Sequence, residues 1–167
     1  MTLSTKLLTL WINYPTPAEF THDQLFDELG WEDLKGNSTY ANTCAIRISF
    51  CLIKSGITIP GRLQIKKGDY KGKWIEPGQK KLSIILSSDD FFGPPIKLKL
   101  KDRDKELSNK QGIVSFMSIP GYTIDGALSG HIDLVKSGKY LWFWDTYQCV
   151  ESCYWDSKEF WIWPLNW

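Results

Sequence analysis

Apolar residues recur at helical spacing through the first half of the chain and alternate through the second. Leu3, Leu7, Leu8, Leu10, Trp11 and Tyr14 predict an amphipathic helix over residues 4–14, which Pro15 and Pro17 end. Thr21-His22-Asp23-Gln24 is a capping signature for a second short helix over His22–Leu29, closed by Gly30. Residues 31–43, rich in Gly, Asn, Ser and Thr, read as loop. A third helix starts at Cys44 and runs to about Ser55, with Asn42 or Thr43 as its N-cap and Gly56 just past its end. Residues 57–75 mix β-branched residues with Gly, Pro and Lys and predict irregular structure with short strands. Gln79–Ser88 sets Leu82, Ile85 and Leu86 on one face of a fourth helix, and Gly93-Pro94-Pro95 breaks the chain after it.

The period then changes. Ile96-Lys97-Leu98-Lys99-Leu100 alternates strictly, as a half-buried strand does. Further strands are expected at Gly112–Met117, Gly130–Val135, Tyr140–Trp144 and Phe160–Trp163, with a Gly-rich loop over 118–129 and a hairpin turn near Ser137-Gly138-Lys139. Helices first and antiparallel strands afterwards make an α+β fold, and 167 residues suit a single domain over 1–167.

Composition narrows the function classes. With 43% hydrophobic and 23% charged residues the chain has the make-up of a globular protein, not a disordered one. The net charge of +1 leaves no electrostatic footprint for nucleic acid, and Lys97, Lys99, Lys101, Arg103 and Lys105 are interleaved with Asp102, Asp104 and Glu106. No stretch is long enough to span a bilayer, so no membrane insertion is expected. The apolar run Leu7–Ile12 lacks a cleavage site, so any export would use something other than an ordinary signal peptide. Six of the nine tryptophans lie from position 142 onward, a density that suits strand packing or an aromatic platform for sugar or peptide.

The candidate chemistry begins at Cys44. A thiol at a helix start sits among unpaired amides at the positive end of the helix dipole, which favours the nucleophilic thiolate. Cys51, mid-helix, reads as core. Only two histidines exist. His22 lies beside a helix start among polar neighbours, whereas His131 opens an apolar strand after a Gly-rich loop, where an imidazole can face a cleft. A cysteine on a helix start and a histidine on a following strand form the pair a cysteine hydrolase uses, nucleophile and general base. The Cys44 amide would supply one oxyanion donor, and Asn42 or Tyr40 a second. The ring needs a third group to hold it. Asp133 shares its face with His131 but lies along the same strand, a poor geometry for a bond to the ring. Hairpin geometry instead selects Asp145, with Glu151 behind it. Arg47, one turn after Cys44, either meets an acidic substrate or closes a structural salt bridge. Cys149 and Cys153 are close enough in sequence to pair across a tight loop, and with no second ligand pair a metal is not expected, nor any cofactor.

Asn42-Thr43-Cys44-Ala45-Ile46-Arg47-Ile48-Ser49 and Gly130-His131-Ile132-Asp133-Leu134 together resemble the fourth family of type VI secretion amidase effectors. The family pattern, a helix beginning N-x-C-x-I-R-x-S and a strand beginning G-H-[IV]-x-L, is matched by Asn42, Cys44, Ile46, Arg47, Ser49, Gly130, His131, Ile132 and Leu134. The resemblance implies a papain-like, NlpC/P60-type fold and cleavage of the peptidoglycan stem peptide between γ-D-glutamate and meso-diaminopimelate. It further implies a secretion apparatus that injects the protein from the producer's cytoplasm into a competitor's periplasm, and a cognate immunity protein that blocks the cleft. A Cys149–Cys153 pair that oxidises on arrival fits such a route. In the family a CxxxC pair can flank the orienting aspartate. Here that place holds Glu151, so the cysteines select Glu151 and strand geometry selects Asp145. A different class of function, a non-enzymatic peptidoglycan- or glycan-binding module built on the C-terminal tryptophans, accounts for the aromatic residues without using Cys44.

Overall fold

In the computed structural model, which describes residues 5–99, 101, 109–124, 126–136, 142–143 and 154–167, one helix forms the centre of the fold. This is α3, Cys44–Lys54, and its residues from Cys44 to Ile53 are all buried. A helix that is apolar on every side must be covered on every side. Ala45, Ile48, Cys51 and Leu52 pack into a cluster with Leu7 and Leu10, with Leu82 and Leu86, and with Ile113, Ile132 and Leu134. Ile46, Phe50 and Ile53 face the other way, against Leu25, Phe26, Leu29, Trp31 and Ile75.

The elements supplying those residues follow the hydrophobic pattern closely. Helix α1 is Leu7–Asn13 and α2 is His22–Leu29. The capping box of α2 forms as its sequence requires: the Thr21 side chain accepts from the Gln24 amide, and the Gln24 side chain from the Thr21 amide. Helix α4 is Gln79–Leu86, with Leu82 and Leu86 buried. Within the stretch expected to be irregular, β1 (Leu63–Gln64) pairs with β2 (Trp74–Ile75) as a short antiparallel ladder.

The second half builds one antiparallel sheet of five strands. They are β3 (Ile96–Lys99), β4 (Gly112–Met117), β7 (His131–Lys136), β8 (Trp142–Phe143) and β9 (Glu159–Pro164), in the spatial order β3-β9-β4-β7-β8. The loop expected over 118–129 contains a small hairpin, β5 (Thr123–Ile124) with β6 (Ala127–Leu128). The last strand runs between β3 and β4, pairing Val114 with Ile162 and Phe116 with Phe160. On β7 the register sets His131 opposite Phe116 and Asp133 opposite Val114. A third cluster, Leu98, Val114, Phe116, Ile119, Val135, Phe160 and Ile162, completes the core. Trp163 is buried, and its indole N–H donates to Gly93 O at 2.9 Å, so this tryptophan is packing rather than platform. Among the described residues no helix is long and apolar enough to cross a membrane.

Candidate active site

Cys44 stands at the first position of α3 and His131 at the first position of β7, and the fold ties these two starts together through Asn42. The Asn42 Oδ1 accepts from the Cys44 amide at 3.0 Å, while its Nδ2 donates to Gly130 O at 3.3 Å. Asn42, rather than the adjacent Thr43, therefore satisfies the first amide of the helix. This bond bears on the expected oxyanion donors. The Cys44 N–H and the Asn42 carboxamide are bonded to one another and to the strand, so an oxyanion gains that N–H only by displacing Asn42 Oδ1.

Gly130 makes the close approach possible. A Cβ there would lie 2.3 Å from Phe116 O and 2.4 Å from Gln79 Oε1. Gln79 is itself held from behind, donating to Ser115 Oγ, which lies 2.8 Å from Ser83 Oγ. Gly130→Ala is accordingly expected to destabilise the fold by about 2 kcal/mol through overpacking. It should also cut activity by displacing His131, a combination measurable by denaturant unfolding and turnover on the same preparation.

The imidazole is nearly closed off, at 1% exposure. Its ring stacks on Tyr154 with centroids 4.1 Å apart and planes 12° apart, which fixes its orientation. The His131 Nε2 lies 3.3 Å from Asp133 Oδ2, and Asp133 Oδ1 accepts from the Leu134 amide at 2.7 Å. The expectation that Asp133 has poor geometry is thus overturned. Residues two apart share a face, and strand side chains lean along the strand direction, enough here to bring the carboxylate to the ring. With Nε2 directed at Asp133, Nδ1 is the nitrogen left for the Cys44 thiol. Burial pulls the His131 pKa down, but hydrogen bonds to Asp133 and Cys44 outweigh it, and the pKa is raised to about 10. Asp145, Glu151, Cys149 and Cys153 lie outside the described residues.

Arg47 is not a substrate contact in this structure. It is 3% exposed, and Nη1 donates to Pro15 O at 2.7 Å, Nη2 to Phe20 O at 2.8 Å and Nε to Thr43 Oγ1 at 3.0 Å. Its planar fork ties the start of α3 to the segment between α1 and α2. Arg47→Met is expected to cost on the order of 3 kcal/mol, because the buried Pro15 carbonyl and the part-buried Phe20 carbonyl lose their donors. A lowered unfolding midpoint with an unchanged KM would show this. His22 is likewise engaged away from the thiol: its ring stacks on Phe26, and Nε2 lies 3.1 Å from Tyr40 O.

A cleft of about 420 Å³ opens on Cys44, bordered by Tyr40, Asn42, Arg62, Gln79 and Leu128 among others. Cys51, seven residues further along α3, has no such access. Burial pushes its thiol pKa up, and its Sγ donates to Leu10 O. Among the described residues no group of histidines, cysteines and carboxylates could hold a metal ion. The arrangement of a thiol at a cleft, an imidazole behind it and a carboxylate behind the imidazole is suited to acyl transfer by a cysteine nucleophile.

Comparison with known proteins bears on the same region. Among solved structures, the type VI effector Tae4 from Enterobacter cloacae superposes with a TM-score of 0.72 at 18% identity, covering 99% of this chain and 100% of its own. The Tae4–Tai4 effector–immunity complex from the same organism gives 0.70 at 20% identity, with 98% and 100% covered. The corresponding Salmonella Typhimurium complex gives 0.71 at 16%, with 98% and 100% covered. These likenesses show the shared fold, in agreement with the α+β, papain-like NlpC/P60-type architecture expected from the sequence. A comparison with curated proteins gave no match. The model of the family described as type VI secretion system (T6SS) amidase effector protein 4 matches residues 40–163, a span that holds both Cys44 and His131. The chain belongs to this family, Tae4.

Proposed function

We propose that this amidase effector is a cysteine hydrolase that cleaves the peptidoglycan stem peptide at the γ-D-glutamyl–meso-diaminopimelate amide. The observation that carries the reading is the Cys44–His131 pair at the cleft, with the ring held by Asp133 and by stacking on Tyr154. The imidazolium beside Cys44 balances a thiolate, which attacks the amide carbonyl. His131 then passes its proton to the departing amine, leaving a thioester on Cys44. Water, deprotonated by His131, releases the acid and restores the thiol. The oxyanion forms beside the start of α3, where the Cys44 N–H is given over to it as Asn42 Oδ1 withdraws.

In the same reading, a type VI apparatus carries the protein from the producer's cytoplasm into the periplasm of a neighbouring cell, where Cys149 and Cys153 oxidise. The solved Tae4–Tai4 complexes support a cognate immunity protein for this chain as well; in this reading that protein occludes the cleft. Digestion of purified sacculi followed by mass spectrometry tests the reaction. Fragments with a new amino terminus on diaminopimelate are expected. An unchanged fragment profile over several wall chemistries would sink the proposal.

A further inference from the structure

One wall of the Cys44 cleft carries a cation whose position the fold fixes. Arg62 follows Gly61, where a Cβ would lie 2.4 Å from both the carbonyl carbon and the oxygen of Ile75. Without it the backbone closes in, the Arg62 amide donates to Ile75 O at 3.0 Å, and the side chain comes alongside Glu76. Arg62 Nε lies 3.0 and 3.1 Å from the two Glu76 carboxylate oxygens, and Nη2 bonds one of them as well. Glu76 is immobilised in turn: Ser49 of α3 donates to its carbonyl, and Gly78, the cap of α4, donates its amide to Oε1. Its carboxylate is 1% exposed while the Arg62 side chain is 62% exposed. One edge of the guanidinium is thereby pinned to the core, and Nη1, with two N–H donors, has no partner among the described residues.

Arg62 borders the Cys44 cleft and also a second cavity of about 390 Å³, which Lys80 and Lys81 flank. Among the described residues lining the two cavities there are three cations and no acid. A buried carboxylate that caps α4 and also pins an exposed guanidinium at the cleft leaves that guanidinium placed to receive an anion. The planar fork suits a carboxylate above other anions of that size in a peptide.

We infer that Arg62 is a specificity-determining residue that receives a free carboxylate of the substrate next to the scissile amide. The inference rests on the stem-peptide reading above. There the γ-linkage of D-glutamate leaves its α-carboxylate free on the acyl side of the bond to be cleaved.

The test compares L-alanyl-γ-D-glutamyl-meso-diaminopimelate peptides that carry this group as the acid or as the carboxamide. The wild-type protein is expected to prefer the acid by about tenfold or more in kcat/KM, mainly through KM, as loss of a charge-assisted hydrogen bond requires. Arg62→Lys should keep part of the preference. Arg62→Gln combined with Glu76→Gln, which leaves no buried charge unpaired, should remove it. Equal wild-type rates on the two peptides, or a preference that survives the double variant, would overturn the inference. Calorimetric titration of Cys44→Ala with both peptides separates this from the proposed chemistry. If wild-type protein hydrolyses neither peptide but Cys44→Ala binds the acid more tightly in an Arg62-dependent way, only the reaction assignment fails. Equal or undetectable binding of the two peptides overturns the role of Arg62.

Discussion

Replacing Cys44 by alanine is expected to lower kcat on stem peptides by on the order of 10⁴- to 10⁶-fold, the loss typical of deleting a nucleophile from a working triad. The fold should persist, because the change removes one sulfur atom at the start of α3, beside the cleft. The Asn42 bonds to the Cys44 amide and to Gly130 O use backbone atoms on the partner side and survive the substitution. Cys51→Ala is the contrasting change. It removes a thiol whose pKa burial has pushed up, so it should reduce stability modestly and leave kcat in the wild-type range. Timed alkylation with peptide mapping gives an independent reading: label should accumulate at Cys44 long before Cys51. Retention of full turnover by Cys44→Ala would dismiss the covalent mechanism outright.

Asp133→Asn carries the second large effect, a fall in kcat of about 10²- to 10⁴-fold without loss of the fold, as when a triad carboxylate becomes an amide. Its particular signature lies in pH. The His131 pKa is raised to about 10, with the Asp133 hydrogen bond leading the upward causes. A raised histidine contributes stability that is fully present below its unfolded value of about 6.5 and is lost as pH rises through the folded pKa. The wild-type protein should therefore lose this contribution between about pH 6.5 and about pH 10, and activity that depends on the imidazolium should fall on the alkaline side near pH 10. Removing the Asp133 charge brings both limbs to lower pH. Asp145→Asn and Glu151→Gln belong in the same series. If one of them shifts the alkaline limb and Asp133→Asn does not, the ring is oriented from outside its own strand.

Much of this site was legible in the residues because its key groups stand at element boundaries. Thr21 and Gln24 announce a capping box, the polar run before Cys44 announces a helix start, and Gly130 before alternating apolar residues announces a strand. Boundary signals are local, and local chemistry can be read along the chain. The roles that escaped are those set by contacts between distant segments. Arg62 and Glu76 become partners only through the β1–β2 ladder, and Gln79 backs Gly130 only because α4 packs on the sheet. Tyr154 reaches His131 from a turn late in the chain. Arg47 illustrates the opposite hazard. Helical spacing sets it one turn from Cys44, but the even burial of α3 on all sides turns that face toward Pro15 and Phe20. For Asp133, strand spacing alone argues against a bond to the ring, whereas side-chain lean closes the gap.

The bond from Asn42 to Gly130 joins residues 88 positions apart. The proposed nucleophile and base are thus carried by segments that meet only after a long intervening stretch of chain has closed, a slow, entropically costly step in assembly. A fragment ending between α3 and β7 contains Cys44 but not His131, and a partly folded chain is expected to be equally inert. Toxicity is therefore a property of the finished molecule alone, and its recovery during refolding should keep pace with the last long-range docking event rather than with helix formation.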